Sequence, residues 1–186
     1  EIPWATLAIC GVTAGSLNLA FLGDSRLLVR DCDGAVHHFG APLKYRKGEQ
    51  ALARKMIAEA KGDRLGIESI RASVMPQLRA SRSKVNTPEG YWLMGPDPRA
   101  AAHVVKSQLR IGAGAMVMLM TDGFYALIED YKLYDDAGLI KAALGKGLDT
   151  LGDELREIEL NDPMGKKFPR MKTSDDATAM LVRAEA

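Results

Sequence analysis

Short apolar runs broken by turn-forming residues dominate the opening segment. Ala5 to Val12, Ser16 to Leu22, Arg26 to Arg30 and Ala35 to Phe39 are rich in Leu, Ile, Val and Phe. Between them lie Thr13-Ala14-Gly15, Gly23-Asp24-Ser25 and Asp31-Cys32-Asp33-Gly34. Connections this short predict antiparallel pairing, because a parallel crossover takes a dozen or more residues, and the segment reads as a meander. The period then changes. Leu52, Met56 and Glu59 recur at helical spacing between Glu49 and Ala60, with Gly62-Asp63 as a stop. Ile67 to about Arg82 reads as a second helix, which Pro76 should kink or end early. Ala80 to Pro98, rich in Ser, Pro, Gly and charge, predicts a surface loop around one short strand, Tyr91-Trp92-Leu93.

Val104 to Leu109 and Ala115 to Met120 predict two more strands, joined across Arg110-Ile111-Gly112-Ala113-Gly114. A helix is expected from Gly123, a second over Asp136 to Leu144 and a third from about Leu148 to Leu160. After the basic, proline-containing loop Asp162 to Thr173, Ala177 to Val182 supplies a last strand. Strands, then helices, then a closing strand indicate an α+β domain with helices on the faces of mainly antiparallel sheets. With no repeat, low-complexity tract or linker, residues 1–186 read as one domain.

Composition narrows the function classes. The 47% hydrophobic fraction suffices for a sizeable core. With 25 basic against 24 acidic residues, the formal charge of +1 provides no field for nucleic acid or a membrane surface. Cys10 and Cys32 lack the spacing of a zinc or redox motif and are too few for a disulfide scaffold, which makes a reducing cytoplasm the simplest setting. No apolar stretch reaches the roughly 18 residues of a membrane span. The start, Glu1-Ile2-Pro3-Trp4, has no basic lead-in and runs almost at once into strand-like residues, so the chain is expected to be the later part of something longer.

The apolar run Val117 to Ile128 carries one carboxylate, Asp122, set against a glycine. An ionised Asp withdrawn from water needs compensation. Asp24 and Asp175 share its grammar, each at the edge of an apolar strand beside Gly, Ser or Thr. Singly, each has an ordinary explanation: Asp24 as a hairpin turn, Asp122 as a helix N-cap, Asp175 as a turn entering the last strand. If the strands are neighbours, three anions at one edge repel each other, and a hard divalent cation is the usual remedy. Oxygen-only ligands suit Mg²⁺ or Mn²⁺ better than zinc. The histidines are a poor alternative set, since His37 and His38 are adjacent on a strand and face opposite sides, while His103 opens a different one.

Taken in order, Gly23-Asp24-Ser25-Arg26, Thr121-Asp122-Gly123 and Asp175-Asp176-Ala177-Thr178 resemble the three corresponding motifs of the metal-dependent protein phosphatase 2C family, of the bacterial type. The resemblance implies a four-layer αββα sandwich, two mainly antiparallel sheets packed face to face and flanked by helices. It implies hydrolysis of phosphoserine and phosphothreonine in proteins by a metal-activated water at a binuclear Mg²⁺ or Mn²⁺ centre. Asp122 and Asp175 would be metal ligands, and Asp24 a catalytic residue binding a further metal or the waters of the cluster. Asp176 would orient its neighbour and is the second choice for ligand. Residues 49–98 would form the variable flap beside the site, where Arg71, Arg79, Arg82 and Lys84 could touch a phosphopeptide, though solvated charge is the commoner role. Tyr91-Trp92 would be core strand or, less commonly, a substrate platform.

Two family motifs do not occur in this sequence: Arg-x-x-x-Glu-Asp, whose Arg binds phosphate, and Asp-Gly-His-Gly, whose Asp bridges the metals. The chain alone is therefore expected to bind metal weakly and to be nearly inactive. Missing strands would also expose sheet edges, favouring self-association, domain swapping or pairing with a missing N-terminal segment. Two rival readings remain. Asp31-Cys32-Asp33-Gly34 after an apolar strand has the Asp-x-Asp of haloacid-dehalogenase-type phosphotransferases, although a hairpin with an Asp-Gly turn explains it too. Alternatively the fold serves as a non-catalytic, phosphatase-like binding module. Nucleotide binding is disfavoured because no Gly-rich loop precedes a Lys and a helix start.

Overall fold

The computed structural model describes residues 3–13, 15–40, 51, 54–55 and 67–185. The helix expected over Glu49 to Ala60 lies almost wholly outside the described residues. Strands β1 (Leu7–Thr13), β2 (Ser16–Leu22), β3 (Arg26–Arg30) and β4 (Val36–Gly40) are followed by helices α1 (Ile67–Ser73) and α2 (Met75–Arg82). Then come a 3₁₀ turn (Pro98–His103), β5 (Val105–Arg110) and β6 (Met116–Met120). Helices α3 (Asp122–Glu129), α4 (Asp136–Lys146) and α5 (Leu148–Leu160) precede the last strand, β7 (Ala179–Arg183).

The strands form two antiparallel sheets, one in the order β1-β2-β5 and one in the order β4-β3-β6-β7. The expected opening meander is instead two hairpins in different sheets. The tight corner Gly23-Asp24-Ser25 carries the chain from one sheet to the other. Gly23 makes this possible: its φ is +93°, and a Cβ there would lie 2.7 Å from Thr6 Cγ2. β5 and β6 likewise part company at Arg110-Ile111-Gly112-Ala113-Gly114 and enter opposite sheets.

Strand alternation explains why the sheets stack. Leu17, Leu19 and Phe21 of β2 meet Leu27 and Val29 of β3 and Val117 of β6 in an inter-sheet core, with Phe21 stacked on Phe39 at 6.5 Å. The opposite face of the second sheet presents Leu28, Met118 and Met120 to Phe124 and Leu127 of α3, Leu139 and Ile140 of α4, and Leu151 and Leu155 of α5. Both faces of β3 and β6 are thus covered, which is why they read as continuous apolar runs rather than alternating ones. The α+β sandwich expected from the sequence is seen directly. On edge strand β7, Met180 and Val182 remain 54% and 41% exposed, although their register neighbours Leu119 and Val117 face the inter-sheet core.

Pro76 does what its ring dictates. The expected single helix over 67–82 is broken at Val74, and Pro76 sits in the first turn of α2, where its missing N–H costs nothing. The short strand expected at Tyr91-Trp92-Leu93 does not form. Asn86 occupies the backbone groups that a ladder would use, donating from Nδ2 to the Leu93 carbonyl at 3.1 Å and accepting from the Leu93 N–H at 2.7 Å. The Asn86 N–H donates to the Tyr91 carbonyl at 2.8 Å. Only an isolated bridge, Ala5 to Met94, remains.

Candidate active site

Antiparallel pairing brings the three motifs to one end of the second sheet. β6 runs antiparallel to both β3 and β7, with Met120 opposite Arg26 and opposite Ala179. The start of β3, the end of β6 and the start of β7 therefore share one edge. Asp24 lies just before the first, Asp122 just after the second and Asp175 just before the third. All three, with Asp176, line one open cleft of about 830 Å³.

Asp122 is the first residue of α3, not its cap. Thr121 holds the N-cap position without capping, because its hydroxyl turns toward the lead-in to β7 and accepts from the Thr178 N–H at 3.0 Å. The Thr121 N–H donates in turn to the Thr178 carbonyl at 3.0 Å. A carboxylate in a helix's first turn is favoured by the exposed N–H groups there. Gly123 then permits close approach: a Cβ on it would lie 2.3 Å from the Asp176 carbonyl oxygen and 3.3 Å from Asp175 Cβ. Gly123→Ala should force α3 away from residues 175–176 and separate Asp122 from Asp175. The expected cost is about 1–3 kcal/mol of stability in urea denaturation. An unchanged midpoint would refute that packing.

Asp175 is held from two sides. Its Oδ1 accepts from Lys172 Nζ at 2.5 Å and from the Asp176 N–H at 3.0 Å. Its carbonyl accepts from Arg156 of α5 at 2.8 Å, and Arg156 also pairs with the buried Glu159 at 2.7 Å. Tyr131 donates to the other oxygen of Glu159 at 3.2 Å. The preceding loop is tied down by Asp162, whose carboxylate accepts the N–H groups of Lys166 and Phe168 and pairs with Arg170 at 3.1 Å. Burial pushes the Asp162 carboxyl up, but the N–H groups of Phe168, Lys167 and Lys166 and the Arg170 charge outweigh it, and the net displacement is downward.

No pattern in the sequence assigned a site role to Arg156, Asp162, Arg170 or Lys172. A basic loop was visible, but nothing in its pattern marks which charges are buried partners.

The donor chemistry suits a hard dication, being oxygen-only and drawn from three separate segments. The tight three-carboxylate cage expected from the sequence is not present: among the described residues no three His, Cys, Asp or Glu side chains are grouped to hold a metal ion. The adjoining Asp122 and Asp175 still fit a water-rich site, because Mg²⁺ commonly takes one or two carboxylates and keeps several waters. The Lys172 ammonium beside Asp175 is a positive charge already standing where such an ion would be attracted.

Of the other candidates, Asp31 and His38 lie outside the cleft and His103 lines it. Asp31 is a turn residue, with its Oδ1 accepting from Cys32 N–H at 2.8 Å and from Gly112 N–H at 3.2 Å, and hydrogen bonds from those two amides hold its carboxyl below the usual range. It does not line the cleft. The nucleophile reading of Asp31-Cys32-Asp33-Gly34 therefore gives way to the hairpin. His38 packs on Tyr125 on the helix side of the sheet, with Nδ1 3.6 Å from Asp136. His103 stacks on Trp92 at 3.6 Å, and both line the cleft. No helix among the described residues is long and apolar enough to cross a membrane.

No protein-family model matches the chain, and no curated protein matches it. Among solved structures, it is similar to the Mycobacterium tuberculosis serine/threonine phosphatase PstP/Ppp, at 15% identity and a TM-score of 0.47 over 97% of this chain and 60% of that one. It is similar to the catalytic domain of PstP in complex with two manganese ions, at 15% identity and a TM-score of 0.44 over 96% of this chain and 57% of that one. A third is the serine-threonine phosphatase 2C from Toxoplasma gondii, at 14% identity and a TM-score of 0.44 over 96% and 57%. The chain thus spans 57% to 60% of the length of these structures.

Proposed function

We propose that the intact protein is a metal-dependent serine/threonine protein phosphatase and that its reaction centre is the cleft holding Asp24, Asp122 and Asp175. One observation supports this above all others: antiparallel register delivers the ends of β3, β6 and β7, each with its carboxylate, to a single edge. Asp122 and Asp175 would hold a Mg²⁺ or Mn²⁺ ion, with Asp24 binding a further ion or its waters and Asp176 orienting Asp175. When bound, the ion supplies an activated water and offsets charge on the phosphoryl oxygens, so no Cys or Ser nucleophile is required. Arg156 fixes the backbone of Asp175, and Gly123 sets the spacing to Asp122. The described residues 67–98 would belong to the flap of this domain. Phosphate release from a phosphothreonine peptide by the intact protein should stop with chelator and return with added Mn²⁺. Release that chelator leaves untouched would overturn the proposal.

One observation favours the second reading, a binding module: Lys172 Nζ pairs with Asp175 Oδ1 at 2.5 Å. Both side chains are about two-fifths exposed, so the pair is worth little in isolation. We infer that this chain alone is weakly active or inactive, and that Lys172 competes with the ion. Lys172→Met should tighten Mn²⁺ binding in calorimetric titration by about 2- to 5-fold, the factor equivalent to an exposed ion pair. Weaker binding in this variant would show that Lys172 helps the ion rather than opposing it.

A further inference from the structure

Five cationic side chains line the cleft, and three of them are engaged. Arg170 is paired with Asp162, Lys172 with Asp175, and Arg26 is buried beneath the Tyr125 ring at 5.6 Å. The other two are Arg71 of α1 and Arg82 of α2. Among the described residues neither makes an ion pair or a side-chain hydrogen bond. Guanidinium groups left uncommitted in a cleft that also holds five aspartates, Asp24, Asp122, Asp130, Asp175 and Asp176, are not explained by structural need. Arg79 and Lys84, also on the flap, are exposed like Arg82 but lie outside the cleft lining, whereas Arg71 is half-buried. The same cleft is also lined by aromatic groups, among them Tyr91 and the Trp92–His103 stack.

We propose that Arg71 and Arg82 form the phosphate-recognition pair of this cleft, and that their ligand is the phosphoryl group of phosphoserine or phosphothreonine in a peptide. The chemistry favours this class. A guanidinium matches the dianionic phosphate with a planar fork of donors, and two of them on separate helices can grip one phosphoryl group from two directions. A small free anion would leave the aromatic wall unused, whereas a peptide flanking the phosphoresidue lies across Tyr91 and Trp92. The proposal rests on the phosphatase reading for its choice of phosphoresidue but not for its physics, since recognition by these arginines needs no metal.

The test is fluorescence anisotropy of a labelled phosphothreonine peptide and its unphosphorylated twin, in chelator so that hydrolysis plays no part. The intact protein should bind the phosphopeptide more tightly than its twin. Arg71→Ala/Arg82→Ala should lose about tenfold or more of that affinity and leave the twin unaffected. Arg71→Lys/Arg82→Lys should recover only part of it, because an ammonium cannot form the bidentate fork. Arg79→Ala/Lys84→Ala should bind like wild type. A thermal melt on each variant separates lost recognition from lost fold. Equal phosphopeptide affinity in wild type and the double Ala variant, or an equal loss in the Arg79/Lys84 control, would overturn the proposal. Loss of recognition in the double Ala variant, alongside no Mn²⁺-dependent release by the intact protein, would sustain the arginine pair and sink the hydrolase instead.

Discussion

Asp122→Ala in the intact protein should lower Mn²⁺-dependent phosphate release from a phosphothreonine peptide by at least about 100-fold, and Asp175→Ala by a comparable factor. Replacing residues that only support a metal ligand typically costs 10- to 100-fold, and removing the ligand itself should cost no less. The effect should fall on the metal dependence, raising the Mn²⁺ concentration for half-maximal rate as well as lowering the ceiling. Asp122→Asn should do nearly the same, since it keeps the shape and first-turn position but removes the charge. Asp31→Asn is the matched control: that side chain accepts two backbone N–H groups in an exposed hairpin away from the cleft. It should retain wild-type release, and a loss there with none in Asp122→Ala would restore the Asp-x-Asp nucleophile reading.

The largest stability effect is expected at Arg170. Its side chain is 13% exposed against 9% for its partner Asp162, and it also donates to the carbonyls of Glu159, Asp162, Phe168 and Thr173. Arg170→Ala leaves a buried carboxylate facing fewer donors and should cost about 3–5 kcal/mol in urea denaturation. Arg170→Lys should not rescue it, because one ammonium cannot span the carbonyls that the fork reaches. The pair also sets an acid limit. The folded Asp162 carboxyl lies below its reference value of 3.8, so its contribution is complete above that pH and is lost as pH falls through the lower folded value. Wild-type stability should drop below about pH 4, and Asp162→Asn should flatten that drop while being less stable at neutral pH. A wild type and Asp162→Asn with parallel profiles would contradict this.

Much of the fold could be read from the apolar pattern because the second sheet is covered on both faces. β3 and β6 read as unbroken hydrophobic runs, and their bounds match the expected ones within a residue. Sheet membership was not readable. Nothing local distinguishes a turn that closes a hairpin, such as Asp31-Cys32-Asp33-Gly34, from a corner such as Gly23-Asp24-Ser25 that changes sheets. That difference depends on what packs behind Gly23, namely Thr6 and Leu93, which are distant in sequence. Tyr91-Trp92-Leu93 had strand propensity, but the Asn86 side chain, seven residues before Leu93, took the Leu93 backbone groups, a side-chain choice that propensity cannot anticipate.

At the site, the three aspartates were visible because each stands at the edge of an apolar strand beside Gly, Ser or Thr. Their supporting groups were not, since Arg156, Arg170 and Lys172 look like ordinary surface charge until the fold buries or pairs them. The basic residues of the flap divided only in three dimensions, with Arg71 and Arg82 lining the cleft and Arg79 and Lys84 outside its lining.

Crystals of the intact protein grown with Mn²⁺ and measured at the manganese absorption edge put the matter most directly. An anomalous peak in direct bonding contact with carboxylate oxygens of both Asp122 and Asp175, with Lys172 displaced, is the expected outcome. Manganese bound only at other residues, or Lys172 still seated on Asp175 in a crystal saturated with the ion, would contradict the metal site on which the proposed chemistry depends.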